Sequence, residues 1–199
     1  MAAITSPCAS QDAATLSPLP LGGRSARGRM HWYLVACEPG REEALCERVR
    51  RIVGDPVVED AFVLRRERWA KFDGVWSRHL ITPFAGYFVV CTSDAPALDI
   101  ALRSLSFRVS LVGKQDGTYA PLAEEVRAWL ERSMDQNHVL RSSTGVIVDG
   151  ALHVLEGPLM GQEASVIKIN RHKRTCLVQV DCREGGFTQV MPLDVPSKS

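Results

Sequence analysis

The chain has 199 residues, of which 45% are hydrophobic and 24% are charged, and its formal net charge is +1. The length suggests one or two globular domains, and the balanced charge excludes a global electrostatic attraction to nucleic acid, so any basic surface must be local. No apolar run approaches the ~20 residues that cross a bilayer, so we expect no membrane partner.

The N-terminal stretch differs from the rest of the chain. It is rich in Ala, Ser, Pro and Gly and lacks helix or strand periodicity, which predicts a disordered tail over residues 1–29. Met30 opens a strand pattern, so we hypothesise that Met30 is the natural start. The segment from Gly23 to Arg29 has the glycine spacing of a phosphate-binding loop, but the flanking strand, the Lys-Ser/Thr pair and the helix are missing.

Residues 30–134 alternate between strand and helix patterns, which predicts an α+β domain. The predicted elements are a strand at 31–36, a helix at 40–54, a strand at 57–64, a long loop or hairpin at 65–79, a strand at 85–91, a helix at 95–105, a strand at 107–113 and a helix at 121–134. The apolar positions of the first helix, among them Ile52, predict a buried face. Pro121 suits the first turn of the last helix.

Beyond residue 134 the helical patterns stop. The polar stretch 135–145 is predicted to be a linker, and residues 146–196 are predicted to form a small all-β barrel of short strands separated by turns. Side-chain alternation predicts that Cys176, Val178 and Val180 point into this barrel.

The residue types that catalysis or metal binding would need are present without a recognisable pattern. The six cysteines form no CxxC pair, the five histidines form no HExxH pattern, and no GxSxG elbow occurs. We therefore expect no metal, no cofactor and no enzymatic activity. Cysteines spread in this way predict reduced, mostly buried thiols in a cytoplasmic protein.

Four stretches of the chain, taken in order, carry a family resemblance. They are WYLVACEPGREEALCERV with its Gly-x-Glu, TPFAGYFVV, VSLVGKQDGTYAPLAEEVRAWL, and HVLEGPLMGQEASVIKIN with its Gly-Pro-apolar-x-Gly centre. Together they resemble the NusG family of transcription elongation factors, with Ala85 where the family usually has a Pro. The resemblance implies an α/β sandwich-like N-terminal (NGN) domain over 30–134 and a small SH3-like β-barrel (KOW) domain over 146–196.

One further stretch narrows the resemblance. STGVIVDGALHVLEGPL followed by INRHKR resembles the specialised paralogues of the LoaP and UpxY type, which act on particular long operons. This resemblance implies processive antitermination, in which the factor rides on RNA polymerase and suppresses pausing and termination.

The resemblance also implies a contact with polymerase. Family members bind the clamp helices of the β′ subunit through an apolar surface, to which Phe84 and Tyr87 belong by motif, with Trp32 and Tyr33 close by. Aromatic side chains dominate binding hot spots, which fits this role. Gly86 is expected to keep the backbone low so that a partner helix approaches closely. The alternative is that these aromatics belong to the core.

Two basic clusters are candidates for nucleic-acid contact, because basic residues bind phosphates and aromatic neighbours stack on bases. The first consists of Arg65, Arg66, Arg68 and Lys71, and the second consists of Arg171, His172, Lys173 and Arg174. The resemblance places the first cluster near upstream DNA and favours nascent RNA for the second. The alternative for both is a solvated loop.

We therefore predict a monomeric, two-domain antitermination factor whose partner is RNA polymerase, with a nascent RNA hairpin, upstream DNA or a ribosomal protein as further partners. Two alternatives stay open. One is a general paralogue of the family that couples transcription to translation. The other is a KOW-type RNA- or ribosome-binding protein that never contacts polymerase, for which Phe84 and Tyr87 would be dispensable.

Overall fold

The computed structural model describes residues 29–183 and 185–196. The predicted tail lies outside the described residues, apart from Arg29, and so does most of the glycine-spaced segment. The helices are α1 (Glu42–Ile52), α2 (Ala95–Ser104) and α3 (Glu124–Ser133). The strands are β1 (His31–Ala36), β2 (Asp60–Phe62), β3 (Arg65–Phe72), β4 (Val75–Ile81), β5 (Tyr87–Thr92), β6 (Ser110–Leu111), β7 (Lys114–Gln115), β8 (Thr118–Tyr119), β9 (Val139–Leu140), β10 (Ser143–Val148), β11 (Ala151–Glu156), β12 (Val166–Asn170), β13 (Thr175–Val180) and β14 (Phe187–Asp194).

The N-terminal unit, residues 29–140, is built on a four-stranded antiparallel sheet in the order β2-β5-β1-β6. Because successive side chains of a strand point to opposite faces, β1 contributes to two cores. Tyr33 and Val35 pack with α1 and α2 on one face, whereas Trp32 and Leu34 pack with α3 on the other. Helices therefore cover both faces of the sheet, in agreement with the predicted mixture of helices and strands.

Strands β3 and β4 form a long hairpin, one of the two possibilities that the sequence left open. It turns at Asp73 and Gly74, whose φ angles are 48° and 81°, as a tight two-residue hairpin turn requires. Phe72 and Val75 flank this turn and are 64% and 69% exposed. The tip of the hairpin therefore presents apolar side chains to solvent.

The C-terminal unit, residues 143–196, contains a five-stranded sheet in the order β11-β10-β14-β13-β12. Cys176, Val178 and Val180 of β13 are buried, which confirms the predicted inward face. Leu159, in the Gly-Pro turn after β11, is also fully buried. The turn between β12 and β13 carries the second basic cluster.

The predicted linker is ordered by tertiary contacts. β9, within the 135–145 stretch, pairs in parallel with β3, and β10 begins at Ser143 rather than after residue 145. The buried carboxylate of Glu67 accepts hydrogen bonds from Arg141 Nη1 at 2.9 Å and from the Ser142 N–H at 2.7 Å. The polar stretch 135–145 is therefore ordered because the distant Glu67 carboxylate accepts its hydrogen bonds.

Other boundaries differ from the prediction in ways that burial explains. The strands predicted at 57–64 and 107–113 shrink to three and two residues. Val58 and Val63 are buried, but they lie outside the hydrogen-bonded strand. The apolar pattern therefore indicated burial of these side chains and not strand pairing. Ile52 is 52% exposed and lies off the buried face of α1. Pro121 precedes α3, which begins at Glu124.

The two units contact each other. Arg66 Nη1 donates to the Val190 carbonyl oxygen at 2.6 Å, and the ring of Trp129 on α3 meets that of Phe187 edge-on at 6.0 Å. One continuous apolar cluster runs from the sheet face under α3 into the C-terminal unit. None of the helices formed by the described residues combines the length and apolar character that a bilayer crossing requires.

Candidate functional site

The turn that carries Phe84 and Tyr87 lies directly before β5. The N–H of Tyr87 donates to the Phe84 carbonyl oxygen at 3.2 Å, which closes the turn. Both side chains are half-buried, and Phe84 packs against the cluster under α3. Ala85 at the top of the turn is exposed. The turn therefore keeps part of its aromatic surface available.

Trp32 and Tyr33 lie elsewhere. They are 8% and 1% exposed, on opposite faces of β1. The Trp32 ring packs edge-on against Phe62 at 5.2 Å and lies 5.3 Å from the guanidinium carbon of Arg127. In this arrangement neither Trp32 nor Tyr33 offers a surface to a partner, so the core alternative describes this pair.

Glu42 fastens the turn to the start of α1. One oxygen of its buried carboxylate accepts hydrogen bonds from the N–H of Gly86 at 2.6 Å and of Gly40 at 3.0 Å. The Gly86 carbonyl in turn accepts from the N–H of Cys37 at 2.8 Å. Burial by itself would raise the pKa of Glu42, but the backbone hydrogen bonds from Gly86, from its own N–H and from Gly40 hold that pKa below its ordinary value.

This packing gives Gly86 a role within the chain's own fold. The residue is buried with a φ of +83°, and a Cβ there would lie 3.3 Å from Cγ of Pro39 and 3.4 Å from the Cys37 carbonyl oxygen. The backbone that approaches Gly86 closely is the chain's own loop. The approach of a partner helix at this glycine stays a prediction.

The first basic cluster is divided by its surroundings. Arg65 pairs with Glu43 at 2.6 Å. Arg66 donates a hydrogen bond to the C-terminal unit. Burial lowers the pKa of Arg66 to about 10, and the Arg68 cation contributes to this shift. Within this cluster, Arg68 and Lys71 are therefore the two cations whose side chains are exposed to solvent.

Arg174 of the second cluster is held between two indole rings of the hairpin. Its guanidinium carbon lies 4.8 Å from the centre of the Trp69 ring and 4.5 Å from that of Trp76, within cation–π range. Nη1 also forms an ion pair with Asp194 at 2.9 Å. Trp69 is fixed in turn by a hydrogen bond from Nε1 to Ser142 Oγ at 2.9 Å. Arg174 therefore joins the second basic cluster to the hairpin that carries the first.

The other members of the second cluster form the tip of the β12–β13 turn. Arg171 is half-buried and donates from Nε to the Val195 carbonyl oxygen at 3.4 Å. His172 and Lys173 are exposed. The structure thus brings this tip against the hairpin, although the two clusters are far apart in sequence. The sequence signalled the aromatic residues Trp69 and Trp76 but not their contact with Arg174.

Four of the cysteines that the structure describes have thiols with a raised pKa. Burial raises the pKa of Cys46, Cys91 and Cys176 to about 12 each. Burial, followed by the Glu42 and Glu38 carboxylates, raises that of Cys37 to about 11. Across residues 29–183 and 185–196, no three His, Cys, Asp or Glu side chains come together as a metal ion would need.

The described residues define a two-unit α+β protein whose basic, aromatic hairpin contacts a basic turn of a small β-sheet unit. The sequence matches no protein-family profile and no curated protein. The structure is similar to one solved for NusG from Thermotoga maritima, described by its domain interaction, with 16% identity and a TM-score of 0.46. The similarity covers 82% of this chain and 93% of that chain. A likeness this distant assigns no function by itself.

Proposed function

We propose that this protein is a non-catalytic transcription elongation factor of the NusG type, which binds RNA polymerase and suppresses pausing and termination on particular long operons. The observation that carries the proposal is the joint between two of the resembling stretches. Glu42, from the Gly-x-Glu stretch, binds the N–H of Gly86, which lies 44 residues further along in TPFAGYFVV. Two separate motifs therefore form one structural feature, which favours their belonging to a single family pattern.

In the proposed architecture, residues 30–134 are the NGN domain. A sheet with α1 and α2 on one face and α3 on the other supports this assignment. Residues 146–196 are the KOW domain, whose first strand reaches back to Ser143. The five-stranded sheet that carries the Gly-Pro turn supports the second assignment.

We place the polymerase contact at the turn with Phe84 and Tyr87, and we expect the β′ clamp helices to be the partner. Half-buried aromatics fit this role because their inner part is held by the core while their outer part stays available. Trp32 and Tyr33 would support this surface from within, since both lie inside the cores.

Binding of the full chain to core RNA polymerase tests this proposal. Tyr87→Asp is expected to weaken binding by about tenfold or more, as truncation of a hot-spot aromatic does. Phe84→Asp should act in the same direction, but Phe84 packs against the core, so its folding must be checked by thermal melting. Ile100→Asp is the matched control, because Ile100 is 71% exposed on α2, which covers the opposite face of the sheet.

The outcomes separate clearly. If folded Tyr87→Asp and Phe84→Asp variants both bind like wild type, the contact lies elsewhere on the protein. If wild type does not bind polymerase, the transcription proposal is wrong. An antitermination assay on a long transcript, with and without the protein, then distinguishes a specialised factor from a general elongation factor.

One observation favours a second candidate, a KOW-type protein that binds RNA or the ribosome and never contacts polymerase. His172 and Lys173 are exposed at a turn of the C-terminal unit, and exposed basic turns of this kind bind phosphates. This candidate predicts that binding to ribosomes or RNA persists in Tyr87→Asp. Co-sedimentation of that variant with ribosomes measures it.

A further inference from the structure

A pocket of about 350 Å³ lies where the hairpin meets the C-terminal unit. Its lining comes from both units: Trp76 from β4, then Arg171, His172, Arg174, Asp194, Val195 and Pro196. We call it the junction pocket. Its volume lies at the lower end of the range that small-molecule sites occupy. Neither unit could form it alone.

The hairpin carries a cation on the same face as Trp76, which lines this pocket. Lys71 lies directly across the ladder from Trp76, so the two side chains share one face of the hairpin. Arg68 pairs with His79 in the same ladder and is displaced from Lys71 by three residues, an odd number that puts it on the opposite face. Both cations are exposed. One strand thus carries two exposed charges, of which only that of Lys71 lies on the face of the hairpin that carries Trp76.

The inside of the junction pocket differs chemically from the exposed cations of the hairpin. The guanidinium of Arg174 is already paired with Asp194, and Arg171 already donates to the Val195 carbonyl. A phosphate inside would meet the Asp194 carboxylate and a carbonyl oxygen, which disfavours an anion there. A flat ring that carries N–H donors would instead meet an indole and two kinds of acceptor.

We propose that the junction pocket takes one unstacked base of a single-stranded nucleic acid, with Lys71 and His172 binding the flanking phosphates. This inference goes beyond the proposed function, to the nucleic-acid contact that the two basic clusters predict. Base–aromatic stacking is tolerant of sequence and works alongside cations that follow the backbone. A duplex keeps its bases stacked inward, so it could present only phosphates to this site.

The test uses the full chain and a labelled oligonucleotide of about 12 nucleotides, a length within the site sizes of single-strand binders. RNA and DNA oligonucleotides of one sequence show whether the protein prefers single-stranded RNA or single-stranded DNA. The duplex form of the same sequence is the third probe. Fluorescence anisotropy at low salt gives the dissociation constants. Wild type should bind at least one single strand about tenfold more tightly than the duplex.

Three variants locate the contact. Trp76→Leu should weaken single-strand binding about tenfold, and Trp76→Phe should restore most of it because an aromatic face is retained. Lys71→Gln should weaken binding several-fold, whereas Arg68→Gln, which removes the same charge from the other face, should change it less than about twofold. The Lys71 and Arg68 variants alter exposed side chains, so they remain informative even if Trp76→Leu loosens the fold.

Several results would overturn the inference. The first is that wild type binds neither single strand, and the second is that it binds duplex and single strand equally. The third is that Lys71→Gln and Arg68→Gln weaken binding equally, which would indicate a diffuse attraction between charges. Polymerase binding in the absence of nucleic acid should be unchanged in Trp76→Leu and Lys71→Gln. A protein that binds polymerase but no single strand would refute the junction pocket and leave the proposed function standing.

Discussion

The guanidinium carbon of Arg174 lies 4.5 Å from the centre of the Trp76 ring, so that a turn of the C-terminal unit is held against the hairpin of the N-terminal unit. The same side chain lies 4.8 Å from Trp69 and pairs with Asp194. One arginine therefore makes two contacts across a boundary that the sequence marks only as a polar linker, and a third within its own unit. This geometry gives the first prediction.

Arg174→Gln should lower the free energy of unfolding by about 2 kcal/mol, because it removes two cation–π contacts and a partly exposed ion pair. Amide hydrogen exchange in β3 and β4 should also become faster. Arg68→Gln is the control, since Arg68 is exposed on the same hairpin. Unchanged exchange in the hairpin of Arg174→Gln would show that Arg174 does not hold the units together.

The second prediction concerns the ordered linker. Glu67 is buried and binds Arg141 and the Ser142 N–H, with Arg78 3.6 Å away. Glu67→Ala should cost about 2 kcal/mol, because hydrogen bonds to a charged group are lost and Ser142 loses its acceptor. Protease cleavage within 135–145 should accelerate, while α1 stays protected. Equal cleavage rates in wild type and variant would contradict this account.

Gly86 and Gly74 form a matched pair for the third prediction. Both have positive φ, +83° and +81°, but a Cβ at Gly86 meets Pro39 and Cys37 whereas at Gly74 it meets nothing within 4 Å. Gly74→Ala should cost about 1 kcal/mol for backbone strain alone, and Gly86→Ala should cost more. Chemical denaturation measures both. If both substitutions lower the free energy of unfolding equally, the close packing at Gly86 does not contribute to stability.

The fourth prediction is a pH dependence that originates at Glu42. The pKa of Glu42 is lower in the folded protein than in the unfolded chain, where it takes the ordinary glutamate value of about 4.3. Its contribution to stability is therefore fully present above the unfolded pKa and is lost as the pH falls through the folded pKa. Glu42→Gln should be less stable than wild type at neutral pH by about 1 kcal/mol. This difference in stability should become smaller at acid pH. A difference that becomes larger at acid pH would show that the pKa of Glu42 is raised by folding and not lowered.

The fifth prediction concerns the reactivity of Cys37. A pKa of about 11 leaves this thiol about a hundredfold less ionised at neutral pH than an ordinary cysteine. Glu38→Gln should speed its alkylation by iodoacetamide, because the Glu38 carboxylate contributes to the raised pKa. Peptide mass spectrometry follows the rate, and Cys46 serves as the internal control. No change in the Cys37 rate would exclude an electrostatic effect of Glu38.

The pattern of apolar residues determined most of the elements. Strand β1 occupies the predicted residues 31–36, and helices α1, α2 and α3 lie within the predicted ranges. The inward face of β13 also follows from simple alternation. These features are local, because a buried strand or helix face imposes its own period on the chain.

Only the tertiary structure decided what surrounds the candidate residues. Trp32 and Tyr33 resemble Phe84 and Tyr87 in residue type, but α3 encloses Trp32 while α1 and α2 enclose Tyr33. Arg66 and Lys71 are both basic residues of one strand, yet one contacts Val190 and the other is exposed. A residue's type sets the contacts it can make, whereas distant partners determine which of them it makes.

The sequence by itself therefore determined most of the helices and strands, their order and the residue types available for binding. The tertiary structure decided that Glu42 binds Gly86, that Glu67 orders the linker, and that Arg174 lies between two indoles. The physical reason is range: periodicity acts over a few residues, while a buried charge takes as its partner whichever group the fold brings within hydrogen-bond distance.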